Sequence, residues 1–309
     1  MILRETGSSV LLVFSVLIIV YFVLWNASQM AMSPIALLFL SRHGVRHRRH
    51  ARALAARLAS PPLVSVIVPA YNEELTIVES VRALLLLDYA AREIIVVNDG
   101  SSDGTLAVLH DAFQLVPAPA AFAQPLQTAA VRGMYRSASD PALVVVDKMN
   151  GGSKSDAVNA GFNAASGTLV LSIDADTLLE PDALSRAVIP FLEDSSTVAV
   201  GGNIAISNGC RIESGRIAAV ALPRSWLARF QIVEYMRAFL LFRLACAAAN
   251  GVVLISGAFG LFRREAVIAV GGYDRAAIGE DMDLTVRLQQ HFRAERRPMR
   301  VRPARAIEP

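Results

Sequence analysis

The sequence predicts an α/β protein: a mostly parallel sheet with helices on both faces, preceded by an apolar helix long enough to cross a bilayer. Three observations carry this expectation. Thr6 to Ser41 holds no charged residue and Val10 to Trp25 is almost wholly apolar; with its flanks this gives about 20 residues, the length that the hydrocarbon core of a bilayer requires. From Val64 onward, short β-branched runs alternate with helical patterns, as in sheets built of strand–helix–strand units. Each run ends in a polar, turn-rich stretch, and in such sheets ligands gather at the carboxyl ends of the strands.

Composition narrows the chemistry. Of 309 residues 54% are hydrophobic, and the mean hydropathy is +0.44, which is high for a soluble chain and fits a membrane part. The net charge is only +3 and the basic residues are clustered, so nucleic-acid binding is not indicated. Cys210 and Cys246 form neither a metal-ligand pattern nor a disulfide framework, and that usage fits cytosolic exposure. Three of the five histidines (His43, His47, His50) lie in one basic run, with His110 and His291 far apart. Little remains for a histidine triad or zinc site, so acid–base chemistry falls to carboxylates. Of the 30 Lys and Arg residues only Lys148 and Lys154 are lysines, and both fall in DKMNGGSK.

In chain order, the apolar span carries interface anchors at Tyr21 and Trp25. Pro34 interrupts the second apolar piece, Ala31 to Leu40, which reads as an interfacial continuation or part of a second pass. A cleaved signal peptide is the rival reading. Arg4 and Glu5 precede the span, whereas Arg42, Arg46, Arg48, Arg49, Arg52 and Arg57 follow it. The positive-inside rule then retains the span as an anchor in the cell (inner) membrane and leaves the rest of the chain in the cytoplasm. The expected organisation is a membrane anchor over 1–41, a basic cytoplasmic linker over 42–62, the α/β domain over 63–295, and a basic, Pro-containing tail over 296–309.

Within the domain, Val64 to Val68 reads as a buried strand ending in PAYNEE, with a helix following through Leu87. Glu93 to Val97 is a second strand, ending in NDGSSDGT, where Asp103 is placed to cap the next helix. Residues 115–141 are rich in Ala and Pro and read as a long excursion. Leu143 to Val146 is a third strand, followed by DKMNGGSKSDAVNAG and a helix. Leu169 to Ile173 then delivers Asp174 and Asp176 around one alanine. Residues two apart on an extended chain share a side, so these carboxylates are placed to converge on one hard divalent cation. The competing reading makes one of them a cap for the helix Pro181 to Phe191. Thr197 to Ile206 predicts one or two strands around Gly201 and Gly202. Residues 225–250 read as an amphipathic helix, whose Arg229, Glu234, Arg237 and Arg243 favour an interfacial or core position over a second span. Ser256 to Phe262 is small and Gly-rich, as where backbone approaches a ligand or another chain. GEDMDLTVRL, Gly279 to Leu288, opens a last helix.

Six segments thus occur in order: VSVIVPAYNEE, VVNDGSSDGT, DKMNGGSKSDAVNAG, SIDADT, SGAFGLFRRE and GEDMDLTVRL. Together, over residues 64–288, they resemble the family 2 glycosyltransferases of the GT-A fold. The likeness is to the membrane-anchored group that includes hyaluronan, chitin, cellulose and poly-N-acetylglucosamine synthases. The resemblance implies that Pro69, Tyr71, Glu73 and Asp99 hold the uridine and ribose of a donor. It makes Lys154 the donor-site basic residue, with Lys148 a lesser candidate, and lets Gly151 and Gly152 turn the backbone near the diphosphate. Asp174 and Asp176 match the metal motif that holds Mg²⁺ or Mn²⁺ against the diphosphate. In the family Asp174 also faces the nucleotide, and Asp176 is the more direct ligand. Asp281 matches the general base, with Glu280 beside it to help raise its pKa. Each residue also has a plainer reading: Asp99 a turn aspartate, Lys154 a solvated helix-end lysine, Glu280 and Asp281 favourable charges at a helix start. Asp283 is expected to face solvent.

The implied function is inverting, metal-dependent transfer of a sugar, GlcNAc or a related hexose, from a UDP-sugar donor to a saccharide or lipid-linked acceptor. Membrane lipids and a membrane partner subunit are the expected partners. Processive members carry Gln-x-x-Arg-Trp beyond the base, followed by further transmembrane helices. Here the tryptophans are Trp25 and Trp226, and Gln290 and Arg293 have the spacing but are followed by Ala294. The chain therefore reads as C-terminally shortened relative to the synthases. The competing function is a catalytically silent, nucleotide-binding remnant or accessory subunit. A nucleotidyltransferase lacks its expected Gly-rich N-terminal loop with a basic residue.

Overall fold

The carboxyl ends of four parallel strands, and the starts of two helices packed on one face of the sheet, position the groups of interest. The structure, a computed structural model, describes residues 12–28, 30–32, 34, 38, 60–119, 123–213, 216–248, 251–252 and 254–304. The basic linker over 42–59 and the last five residues of the expected tail lie outside the described residues. Helix α1 (Leu12–Met32) is exposed, and among the described residues it is the one helix long and apolar enough to cross a membrane.

The strands are β1 (Val64–Ala70), β2 (Arg92–Asp99), β3 (Leu115–Ala118), β4 (Val131–Ser137), β5 (Leu143–Lys148), β6 (Leu169–Ser172), β7 (Thr197–Gly201), β8 (Arg211–Glu213), β9 (Arg216–Ala219), β10 (Gly260–Arg263) and β11 (Arg300–Pro303). The helices after α1 are α2 (Ile77–Leu85), α3 (Thr105–Phe113), α4 (Lys154–Ala164), α5 (Ala183–Glu193), α6 (Trp226–Met236), α7 (Arg243–Ala248), α8 (Arg264–Ala269) and α9 (Glu280–Ala294), with a π-helical segment Arg237–Phe242 between α6 and α7. Nine strands form one sheet in the order β11-β7-β10-β6-β1-β2-β5-β4-β3, and β8 pairs with β9 apart from it.

The expected parallel character belongs to the centre of the sheet and to the β7–β11 pair at one edge. β6, β1, β2 and β5 pair in parallel, while β10 runs antiparallel to β6 and β7, and β4 antiparallel to β5 and β3. Strand alternation splits the core in two. Val64, Val66, Val68, Ile94, Val96, Leu143 and Val145 face α2, α3 and α5. Ile67, Ile95, Val97, Val144, Val146 and Val170 face α4, α8 and α9. Such β-branched strands, buried on both faces, are what a helix-covered parallel sheet needs.

Several expectations change. The excursion over 115–141 supplies β3 and β4, which extend the sheet edge in antiparallel fashion. Residues 300–303 of the expected tail form β11, because the alternation Arg300, Val301, Arg302 buries Val301 and sends Arg300 and Arg302 to Asp194. Asp283 is half-buried and paired with Arg287 at 2.7 Å, one helical turn on. Helix α6 buries none of its residues, so it is not a core helix.

Candidate active site

The loops leaving β1 and β2 are stitched together. Asn72, at φ 57°, donates its N–H to Ser101 Oγ (3.0 Å) and accepts the Ser102 N–H at Oδ1 (2.8 Å). Glu74 donates its N–H to Asp103 (3.2 Å) and accepts the Gly104 N–H (2.7 Å). Asp103 also accepts the Thr105 N–H at 3.0 Å, a local turn bond; the N-cap of α3 is Gly104 and carries no side-chain cap, so the capping role expected of Asp103 is corrected. The latch fixes a rim on which Pro69 is half-buried and the Tyr71 ring is exposed. Glu73 is half-buried, its N–H donating to Thr105 Oγ1 (2.8 Å) and its carboxylate accepting the Thr76 hydroxyl (2.7 Å). In this state the Glu73 side chain serves its own turn.

Behind that rim lies a buried charge cluster. Lys148 is fully buried, and its ammonium donates to Asp99 Oδ1, to Asp156 Oδ2 at 2.6 Å and to the Met149 carbonyl at 2.7 Å. An ammonium has three donors, so none is left for a ligand. The lesser donor-site role expected of Lys148 is therefore corrected: the residue neutralises two buried carboxylates. Asp99 Oδ1 takes the Gly151 N–H as well (3.1 Å), leaving Oδ2 as the oxygen with which Asp99 can accept from a ligand. Gly151 is glycine for want of room, since a Cβ there would meet the Asp156 carboxylate at 2.2 Å. A separate groove of about 640 Å³, lined by Asn98, Ser101, His110, Arg132 and Asp147 among others, opens on the opposite face of β2, because Asn98 and Asp99 point to opposite sides.

Three of the expected site residues meet near Gly257. Lys154 opens α4 just after its N-cap Ser153, and its ammonium pairs with Asp174 Oδ1. A Cβ added to Gly257 would lie 2.7 Å from Asp281 Oδ2 and 3.1 Å from Lys154 Nζ. The Gly257 N–H also donates to the Asp281 carboxylate. Lys154, Asp174, Gly257 and Asp281 thus form one cluster, drawn from α4, the end of β6, the loop before β10 and the start of α9. Burial pushes the Asp281 carboxyl above its usual range; Lys154 opposes this, Glu280 adds to it, the Gly257 N–H opposes it and Asp174 adds to it.

The geometry of the two aspartates differs from expectation. β6 ends at Ser172, and the Thr177 N–H donates to the Asp174 carbonyl at 3.1 Å, closing a turn over Asp174–Thr177. The pair therefore sits in a turn, with buried Ala175 between half-buried Asp174 and exposed Asp176. The two-residue period of a strand does not govern them. Neither caps the next helix, which starts at Ala183 with Asp182 at its N-cap.

Two residues that sequence reasoning did not single out for the site also border it. Tyr273 is buried beside Ser172, and burial, with the charges of Asp281, Glu280 and Asp174, holds its phenol protonated. Its backbone is clamped by Asn159, which accepts the Tyr273 N–H and donates to its carbonyl, both at 2.8 Å. Arg243 stacks over the Phe239 ring at 4.0 Å; burial lowers the pKa of its guanidinium and nearby Asp281 opposes that. The only sequence sign of Tyr273 was an aromatic residue after Gly271-Gly272, too common a pattern to single out.

Among the described residues no group of three or more His, Cys, Asp or Glu side chains could hold a metal ion. Two carboxylates are available: Asp174, with one oxygen held by Lys154, and exposed Asp176. That donor set fits Mg²⁺ or Mn²⁺ in the manner of sites that take one or two carboxylates and complete the shell with substrate phosphate and water.

A family model described as Glycosyl transferase family 2 matches residues 65–271. The poly-beta-1,6-N-acetyl-D-glucosamine synthase of Staphylococcus aureus (strain COL) is 29% identical over 233 residues, covering 75% of this chain and 47% of the relative. The synthase of the same name from Staphylococcus epidermidis is 28% identical over 225 residues, covering 73% and 45%. The chain thus spans about half the length of the curated relatives it matches. Among solved structures, the mannosyltransferase PcManGT from Pyrobaculum calidifontis in complex with GDP-Man and Mn²⁺ has a TM-score of 0.56 at 20% identity, covering 88% of this chain and 66% of that one. S. aureus TarS in complex with UDP-GlcNAc has a TM-score of 0.50 at 18% identity, covering 80% and 60%. These likenesses show a GT-A fold. With the family model spanning the strands and turns that carry all the clustered groups but Asp281, the chain belongs to glycosyl transferase family 2.

Proposed function

We propose that the chain transfers a sugar, GlcNAc or a related hexose, from a UDP-sugar to a saccharide or lipid-linked hydroxyl, with inversion at the anomeric carbon. The observation that carries this reading is the cluster at Gly257, where a carboxyl raised by burial stands beside a lysine–aspartate pair. Asp281 is the general base: it takes the proton of the acceptor hydroxyl as that oxygen attacks the anomeric carbon. A base opposite the leaving group makes this a single in-line displacement. Lys154 sits between the donor side and the base, where its charge favours both the arriving diphosphate and the ionised Asp281. Pro69, Tyr71, Glu73 and Asp99 grip the nucleoside at the rim of β1 and β2. Asp174 and Asp176 hold the divalent ion, which when bound supplies neutralisation of the diphosphate charge as UDP departs.

The names of the relatives support GlcNAc as the sugar, and the UDP-GlcNAc complex of a protein of the same fold supports a uridine donor. Helix α1 anchors the protein in the membrane, with the α/β domain on the cytoplasmic face, as the basic residues after it support. The test is turnover of radiolabelled UDP-sugars by the full chain in membranes, with Mg²⁺ or Mn²⁺ and with EDTA. Metal-dependent release of UDP together with labelled product is expected. UDP binding without turnover of any UDP-sugar would overturn the reading.

A further inference from the structure

We infer that the groove between α3 and the strands β2, β5 and β4 is a second, non-catalytic site that holds a neutral saccharide chain. It opens on the face of β2 opposite Asp99, and its volume of about 640 Å³ falls within the range of about 300–1,000 Å³ of small-ligand sites. Arg132, on β4, comes from the stretch 115–141, for which the reaction has no use. The wall of the groove contains an acceptor in want of a donor. Asn98 is 1% exposed, and its Oδ1 has no hydrogen-bond partner among the described residues. Its Nδ2 donates to Asp147 Oδ1 at 2.7 Å, and the same oxygen accepts from Arg132, also at 2.7 Å. Turning the amide over would set its carbonyl against the Asp147 carboxylate, acceptor to acceptor, so the network fixes Oδ1 as the open end. A buried acceptor left unpaired is costly, and it marks a place for a donor brought by a ligand.

The neighbouring groups select the class of ligand. Arg132 commits one N–H to Asp147, and a guanidinium has five to give. Acceptor and donors thus stand side by side, and a sugar hydroxyl, which both donates and accepts, satisfies such a pair. Leu106, Ala107 and His110 line the groove from α3, on one side of that helix, and the His110 ring meets Tyr135 edge-on at 6.1 Å. That strip suits the C–H face of a pyranose ring. Charge excludes the nucleotide donor: Asp103, Asp111 and Asp147 line the groove against the single arginine, so a diphosphate would meet net negative charge. Among the described residues no group of three or more His, Cys, Asp or Glu could hold a metal ion to offset it. The groove and the nucleoside rim share a loop, in which Ser101 accepts the Asn72 N–H at 3.0 Å and Asp103 the Glu74 N–H at 3.2 Å. A saccharide held here stays beside the reaction centre between transfers, which raises the effective concentration of its end. Only the choice of N-acetylglucosamine as a repeating unit rests on the function proposed above.

The test is binding of trisaccharides of N-acetylglucosamine, glucose and mannose to the full chain in lipid nanodiscs, by calorimetry and saturation-transfer NMR, with UDP and Mn²⁺ present to fill the donor side. Ala107→Phe places a ring in the groove from an exposed helix position, and Asn98→Leu removes the orphan acceptor. At least one trisaccharide is expected to bind wild type, and its affinity to fall at least about tenfold in Ala107→Phe with UDP affinity unchanged. Asn98→Leu should show the same loss; Ala107→Phe, on the surface, carries the test if the buried substitution impairs folding. Equal binding by wild type and Ala107→Phe overturns the inference, because the saccharide then sits at the reaction centre alone. Binding of none of the three also overturns it, as does loss of UDP binding in Ala107→Phe, which would make the groove a nucleotide site. Groove binding without transfer from any UDP-sugar supports the groove and sinks the proposed function.

Discussion

Gly257→Ala tests whether the base and the donor-side lysine are held where the cluster puts them. The new Cβ would stand 2.7 Å from Asp281 Oδ2, whereas carbon–oxygen contacts settle at about 3.3 Å or more. Asp281 must therefore retreat by about 0.6 Å, and Lys154, at 3.1 Å, by a few tenths. Gly257 does not occupy the left-handed region, so alanine fits its backbone and stability should change by less than about 1 kcal/mol. Reacting groups tolerate displacements of about 0.5 Å, and 1 Å costs about a hundredfold. The expected result is a fall in kcat of about 10- to 100-fold, or about 1.4 to 2.7 kcal/mol, with UDP affinity and melting temperature nearly unchanged. UDP release from a UDP-sugar by the full chain in membranes, beside calorimetric UDP binding, measures both. A variant with wild-type kcat would refute the placement of the reaction at Gly257.

Asp281→Asn should reduce transfer by about 10²- to 10⁴-fold while sparing UDP binding; unchanged turnover would remove Asp281 as the base. Its carboxyl is raised above 3.8 and must be ionised to work, so kcat/KM should fall tenfold per pH unit below that raised value and level off above it. A pH–rate profile with its acid limb at or below 3.8 would contradict the burial argument. The stability sign runs the other way: a raised folded-state value means that ionisation costs stability as pH rises through it, so the Asn variant should melt no lower than wild type at neutral pH. Lys148→Met leaves Asp99 and Asp156 as buried, unneutralised carboxylates and should cost about 3–5 kcal/mol in urea denaturation. A normally stable variant with weakened UDP binding would instead return Lys148 to the donor site. EDTA and Asp176→Asn should each abolish turnover, with excess Mn²⁺ rescuing only the first; transfer that persists in EDTA would rule out the metal role of Asp174 and Asp176.

Much of the fold was legible because parallel central strands advertise themselves. Val66 to Val68, Ile94 to Val97 and Leu143 to Val146 are uninterrupted apolar runs, and a strand buried on both faces leaves that trace. β3, β4 and β11 were not legible. They are edge or near-edge strands of four to seven residues whose alternation is diluted by Ala, Pro, Gly and Arg, and only their partners in the sheet make them strands. Within the site, the residue types and their order along the chain could be read, and Gly257 fell in a stretch marked for close approach. The sequence could not show that the two lysines of one short stretch part company. Lys148 ends a strand and points into the core, whereas Lys154 opens a helix and reaches Asp174, and the five residues between them decide between burial and a solvent-facing ammonium.

The pairing of β7 with β10 carries a consequence for how such a chain can diversify. Gly201 and Gly260 are direct partners in the sheet, so the polypeptide leaves and re-enters the framework at almost the same point. Residues 203–236 are thereby a detour whose length the framework feels little, since closing a loop grows more costly only with the logarithm of its length, whereas Ala247 and Val252 rejoin the core. The donor-side groups lie before this detour and Asp281 after it. A stretch that alters what the protein docks against, or which acceptor it admits, can therefore be exchanged as a cassette while the strands keep their register and the carboxylates their spacing.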